Sequence, residues 1–142
     1  METSATKPFL PEEPKIKYPV LGDRIQSSFV DALLIVILMF VFASILDRYE
    51  DVPDWVRMAL FGSLFIAYEP LCMSLGCTLG NYIKGIRVRK NSNPAKRINI
   101  FQAIIRYPVK IFLGWISFLT IGMDPKRRAI HDLVSGSVMI KL

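Results

Sequence analysis

Two carboxylates stand where acids are costly. Asp31 lies in "GDRIQSSFVDALLIVILMFVF", residues 22–42, and Glu69 lies in "MALFGSLFIAYEPLCMSLG", residues 58–76. An ionisable side chain inside a membrane helix costs roughly 2.5 to 3.5 kcal/mol on insertion scales, so it marks a functional candidate. Low dielectric raises a carboxyl's affinity for protons, and two neighbouring carboxylates can share a proton or a sodium ion. Asp31 and Glu69 are therefore a possible ion or proton site. A structural role competes with this reading. Arg24 precedes Asp31 by two helical turns and lies on the same face, so it can neutralise the acid, as can Arg106 from across a bundle.

The elements that position these groups are apolar and bunched. The chain has 142 residues, 52% of them hydrophobic, and a mean hydropathy of +0.37, which makes it one domain and too apolar for a soluble protein. Residues 29–46 are apolar except for Asp31 and small side chains, long enough as a helix to cross about 27 Å. A cleaved signal peptide has a shorter apolar core directly after a charged start; here a long polar stretch comes first, so the run reads as an uncleaved anchor. Residues 1–21 carry Pro8, Pro11, Pro14 and Pro19, which forbid helix and favour an extended, flexible tail. The membrane domain is expected over residues 22–142.

The first helix is predicted over about 25–47 and the second over about 55–79, with an acidic loop between them. Pro70 removes a ladder bond from the second helix and frees the Ile66 carbonyl close to Glu69. The third apolar segment, about 98–122, is divided by Arg106, Pro108 and Lys110 into an amphipathic front and an apolar back. That back, residues 111–121, reaches only about 16 Å as helix, roughly half the hydrocarbon thickness.

Residues 81–110 hold Lys84, Arg87, Arg89, Lys90, Lys96, Arg97, Arg106 and Lys110 and no acid. The positive-inside rule makes that stretch cytoplasmic, and with it the N-terminus. The tail bearing Lys126, Arg127, Arg128 and Lys141 has the same preference. "GIRVRK" (85–90) and "GSVMIKL" (136–142) alternate as strands do, and short strands need a partner in the same compartment. The expected fold is thus an all-α membrane protein: a small helical bundle with two full transmembrane helices, a third short helical segment that is re-entrant or interfacial, and a cytoplasmic two-stranded β element of about 85–90 with 136–142. Three full crossings are the alternative.

The remaining reactive side chains suggest no enzyme. Cys72 and Cys77 fall on different helix faces in a reducing compartment and read as packing residues. His131 is the only histidine, next to Asp132, with no nucleophile at useful spacing and no second histidine for a metal. Gly76, Gly80 and Gly85 mark a helix exit and turn; no phosphate-loop spacing is present, and no cofactor is expected. The formal charge of +6 faces the bilayer headgroups, where anionic lipid attracts each base by about 1 kcal/mol, so nucleic acid is not an expected partner. "DPKRRAIHDLVSG" reads as a turn at Asp124 and Pro125, then a helix from about 128 to 134.

Arg24 at the start of the first span, Asp31 within it, "TLGNYIKGIRV" after the second and "DPKRRAIHDLVSGSVMI" at the end together resemble the RDD family of bacterial membrane proteins, named for one arginine and two aspartates. The resemblance covers residues 22–142 and makes Arg24, Asp31 and Asp132 the signature positions. Asn81 stands where the family usually has lysine, with Lys84 three residues on. The resemblance implies a bacterial inner-membrane location and an unsettled activity, most often suggested to be transport. The residues themselves suggest an inner-leaflet ionic network of Arg24, Asp31 and Asp132, supported by Arg106, His131 and Lys84. The expected function is transport of a proton, cation or small ligand by an oligomer, with a scaffold or assembly subunit docking other membrane proteins through Gly62, Ser63 and Ala67 as the alternative.

Overall fold

The computed structural model describes residues 16–49 and 51–142; most of the expected tail lies outside them. The described residues are mostly helical, with three apolar helical segments among them long enough to span a membrane and one two-stranded sheet. Helix α1 runs Leu21–Leu46 and α2 Asp54–Leu75, followed by a short α3, Leu79–Ile83, and strand β1, Ile86–Lys90. Helix α4, Ile100–Leu113, continues into a 3-10 segment, Gly114–Gly122; α5, Ile130–Val134, and β2, Ser137–Lys141, complete the fold.

Helix α1 is amphipathic in the inverted sense. Its buried residues include Arg24, Ser27 and Asp31, spaced three and four apart on one face. Phe29 and Phe40 point outward, 69% and 72% exposed. Phe112, Trp115 and Leu119 of the third segment are outward too. Apolar surface on this scale has lipid as its natural solvent, while every polar group within must find an internal partner.

The second helix ends earlier than its sequence pattern predicts. Gly76, at φ 151°, stops α2 after Leu75, a conformation that a residue with Cβ resists. Thr78 then caps α3, accepting from the Asn81 N–H, so the predicted continuation to 79 is a break and a new helix. Pro70 lies within α2. The hydroxyl of Tyr107 donates to the carbonyl of Phe65, one residue before the acceptor that Pro70 frees, and ties α4 to this part of α2.

The third segment is one apolar stretch in two conformations. Asn99 and Gln102 close a reciprocal cap at the start of α4, and Gly114, at φ 47°, ends it. Both ends of the stretch meet the same neighbourhood: Gln102 Nε2 donates to the Ser135 carbonyl at 3.0 Å, and Thr120 Oγ1 donates to the Arg128 carbonyl at 2.8 Å.

The strands pair antiparallel as their alternation predicts, with Val88 opposite Met139 and Arg89 opposite Val138. Ile86, Val88 and Met139 join Met73, Ile98 and Ala103 in the apolar core. Lys17 forms a bridge with Lys141, and Lys141 Nζ lies 2.6 Å from Asp23. The start of α1, the sheet and α5 therefore gather at one end of the molecule. At the other end, Arg57 and Asp47 form an exposed pair at 3.0 Å, worth little on its own.

Candidate functional site: a buried arginine and aspartate core

Asp132 is fully buried, at 0% exposure, and two guanidiniums that are 2% exposed converge on it. Arg24 Nη1 donates to Oδ2 at 2.6 Å. Arg106 Nε stands 3.0 Å from Oδ1, close enough for strong attraction though misaligned for a hydrogen bond. The Ala129 N–H, at the start of α5, donates to Oδ2 at 3.2 Å. Burial alone would raise the Asp132 pKa; the Arg106 and Arg24 charges outweigh it and hold this carboxyl well below the ordinary range.

A turn prepares the other half of Arg24's contacts. Asp124 accepts from the backbone N–H groups of Lys126 and Arg128, and from the Arg128 side chain through both carboxylate oxygens. Those Arg128 hydrogen bonds bring its pKa down to about 2. Within this turn Arg127 adopts a positive φ of 50°, and its carbonyl accepts from Arg24 Nη2. One arginine of α1 thus holds both the 124–128 turn and α5.

Asp31 makes a separate set of contacts. Its Oδ2 accepts from Thr78 Oγ1 at 2.6 Å; its Oδ1 accepts from Gly80 N at 2.8 Å and from Tyr68 Oη at 3.0 Å. No basic side chain stands within ion-pair distance of it among the described residues. Thr78 caps α3 and Gly80 lies in its first turn, so the acid of α1 is the socket for the start of that helix. The approach is very close: a Cβ on Gly80 would sit 2.0 Å from the Ser27 carbonyl oxygen. The sequence pattern suggests a turn glycine at position 80; it is instead helical, and small because two backbones nearly touch there.

Beside these groups Ser27 Oγ donates to Asn81 Oδ1 at 2.7 Å, and Asn81 Nδ2 reaches Met73 Sδ at 3.7 Å. Asn81 is 2% exposed. Lys84 lies apart, on the surface with Gln26. Glu69 pairs through both oxygens with Lys110 Nζ, each at 2.8 Å. The structure therefore joins Arg24, Arg106, His131 and Asp132, places Asp31 next to them with different partners, and seats Glu69 on Lys110. A cavity of about 10 Å³ lined by Arg24, Asp31, Asn81, Arg106, Lys110 and His131 lies between the two sets, room for about one water. Thr78, Tyr68, Ser27 and Ser117 were not singled out as site residues by sequence reasoning. Ser27 has a signal in the polar spacing of 24, 27 and 31 along an otherwise apolar helix; the others are neutral donors far away in the chain.

His131, 1% exposed, contacts Ser117 Oγ through Nδ1 and meets the Phe118 ring edge-on at 5.9 Å. Burial, and then the charge of Arg106, bring its pKa down to about 3. The unfolded imidazole titrates near 6.5, so below that pH protons favour the unfolded chain. Stability is undiminished by this group above about pH 6.5 and falls by up to about 1.4 kcal/mol per pH unit as pH drops towards 3. Thermal midpoints measured from about pH 7 to about pH 4 should fall steeply in the wild type and less steeply in His131→Gln.

Inverted α1, apolar outer surfaces and an enclosed charged core define a helical membrane protein whose segments are locked by ion pairs at one end. A sequence profile of the RDD family matches residues 18–136, and the chain belongs to that family. No curated protein and no solved structure matches it.

Proposed function

We propose that this chain is a non-enzymatic assembly subunit of the bacterial inner membrane, with two crossings, a re-entrant third segment and its N-terminus in the cytoplasm. The observation that carries the assembly reading is the enclosure of Asp132 by Arg24 and Arg106, at 2.6 and 3.0 Å. These charges are consumed in fastening α1, α4 and α5, and the cavity beside them has room for about one water. Contacts from both Gln102 and Thr120 to residues around α5 support the re-entrant path. The excess of lysine and arginine at that end supports a cytoplasmic orientation, next to anionic headgroups.

Partners are further copies of the chain or other membrane proteins. Gly62 offers them a close approach, since a Cβ there would meet nothing within 4 Å. Transport is the second reading, favoured by one observation: Asp31 is held by neutral donors, which leaves its charge to attract a proton or cation. Glu69, seated on Lys110, is the less available of the two acids.

Purified protein in liposomes separates the readings. Under assembly, proton and sodium flux equals that of protein-free vesicles, and Gly62→Ile reduces the oligomer measured by sedimentation in detergent. Flux above background that disappears in Asp31→Asn would establish transport instead.

A further inference from the structure

Three arginines gather under the end of α2 with no acid paired to them among the described residues. Arg87 and Arg89 lie on β1, and Arg97 bridges to Arg89 through the backbone. Among the described residues none of the three is within ion-pair distance of a carboxylate, nor is Lys90 or Lys96. Arg89 Nη1 is buried without a hydrogen-bond partner among the described residues, and burial followed by the charges of Arg97 and Arg87 weakens the hold of Arg89 on its proton. Among the described residues Arg97 is pinned by one donor, Nη1 to the Leu75 carbonyl at 2.7 Å; the residue is exposed.

An apolar groove lies one helical turn from this cluster along α2. It lies between α2 and α4, holds about 390 Å³, and is lined by Ile66, Pro70, Leu71, Ile100, Ile104 and Tyr107 among others. Leu71 is one helical turn before Leu75, whose carbonyl Arg97 holds, and Ile100 follows Arg97 by three residues. Guanidiniums with no acid partner among the described residues, close to an oil-lined groove, have the chemistry of a phospholipid inverted: cation for phosphate, apolar wall for acyl chain.

We propose that Arg89 and Arg97 bind the phosphate of one anionic phospholipid whose acyl chain lies along the α2–α4 groove. Arg87, whose guanidinium stacks 5.0 Å from the Tyr82 ring centre, adds to the positive field. The site rests on the topology proposed above only for the leaflet that supplies the lipid.

Native mass spectrometry of the detergent-purified protein, titrated with phosphatidylglycerol or with phosphatidylcholine, tests the assignment. The wild type should retain one phosphatidylglycerol in preference to phosphatidylcholine. Each of Arg89→Ala and Arg97→Ala should weaken that retention about fivefold. Ile104→Trp, which fills the groove without changing charge, should weaken retention of both lipids. Equal retention of the two lipids, or a preference undiminished by the arginine substitutions, would overturn the proposal. Displacement of the lipid by an equal concentration of inorganic phosphate would assign the patch to a soluble anion and overturn it as well. Labelling of Ala95→Cys from each side of the membrane, with Cys72 and Cys77 replaced by alanine, reads the topology separately. A wrong leaflet would leave the preference in detergent intact.

Discussion

Asp132→Asn is expected to destabilise the protein by about 3 to 5 kcal/mol, because it strands two buried guanidiniums with no charge between them. Both are 2% exposed, so neither can turn to water without opening the fold. In detergent this corresponds to a fall in thermal midpoint of roughly 10 °C or more. The triple change Arg24→Met, Arg106→Met and Asp132→Leu should recover a large part of the loss, since removing a buried charged set together avoids the uncompensated charge that a single removal leaves. Comparing the single and triple variants by thermal unfolding decides the matter. A single variant that unfolds at the wild-type temperature would mean that the ion pairs do not hold α1, α4 and α5 together.

Gly80→Ala should be comparably severe. The new Cβ would stand 2.0 Å from the Ser27 oxygen and 3.0 Å from the Asp31 carboxyl carbon. Backbone rather than a flexible side-chain end is in the way, so α3 must move away from α1. The movement breaks the Gly80 and Thr78 hydrogen bonds to Asp31, each worth about 1.5 to 3 kcal/mol when the acceptor is charged. A loss of about 3 kcal/mol or more is expected, measured as thermal midpoint or as the yield of monodisperse protein. Gly62→Ala is the control: its Cβ has open space, and its effect on folding should stay within about 1 kcal/mol.

The large elements were legible in the sequence because the thickness of a bilayer imposes them. Three apolar segments and two alternating strands were predicted, and they occur with boundaries shifted by local causes such as Gly76 and Gly114. The ionic centre was partly legible. Arg24, Arg106, His131 and Asp132 meet, but helical spacing also suggested that Arg24 neutralises Asp31, and it does not. Spacing along one helix says which side chains share a face, and a long arginine chooses its partner in three dimensions. The acceptor role of Asp31 was hidden because its donors, at positions 68, 78 and 80, are neutral and arrive from α2 and the start of α3. Nothing in residue type marks Thr78 or Gly80 as the counterpart of a buried acid; the crowding at Gly80, where an added Cβ would stand 2.0 Å from the Ser27 oxygen, shows why that position is bare.

The pair formed by Arg24 and Asp132 spans 108 positions, and this has a bearing on biosynthesis. A ribosome adds roughly 5 to 20 residues per second, so the first helix waits on the order of 5 to 20 s for its counter-ion to be made. During that interval the arginine has no Asp132 to pair with, and a polypeptide halted before position 132 never acquires the fastening. Chains truncated before that position should therefore be less stable to added protease than chains that reach it, since Arg24 then has no Asp132 to hold.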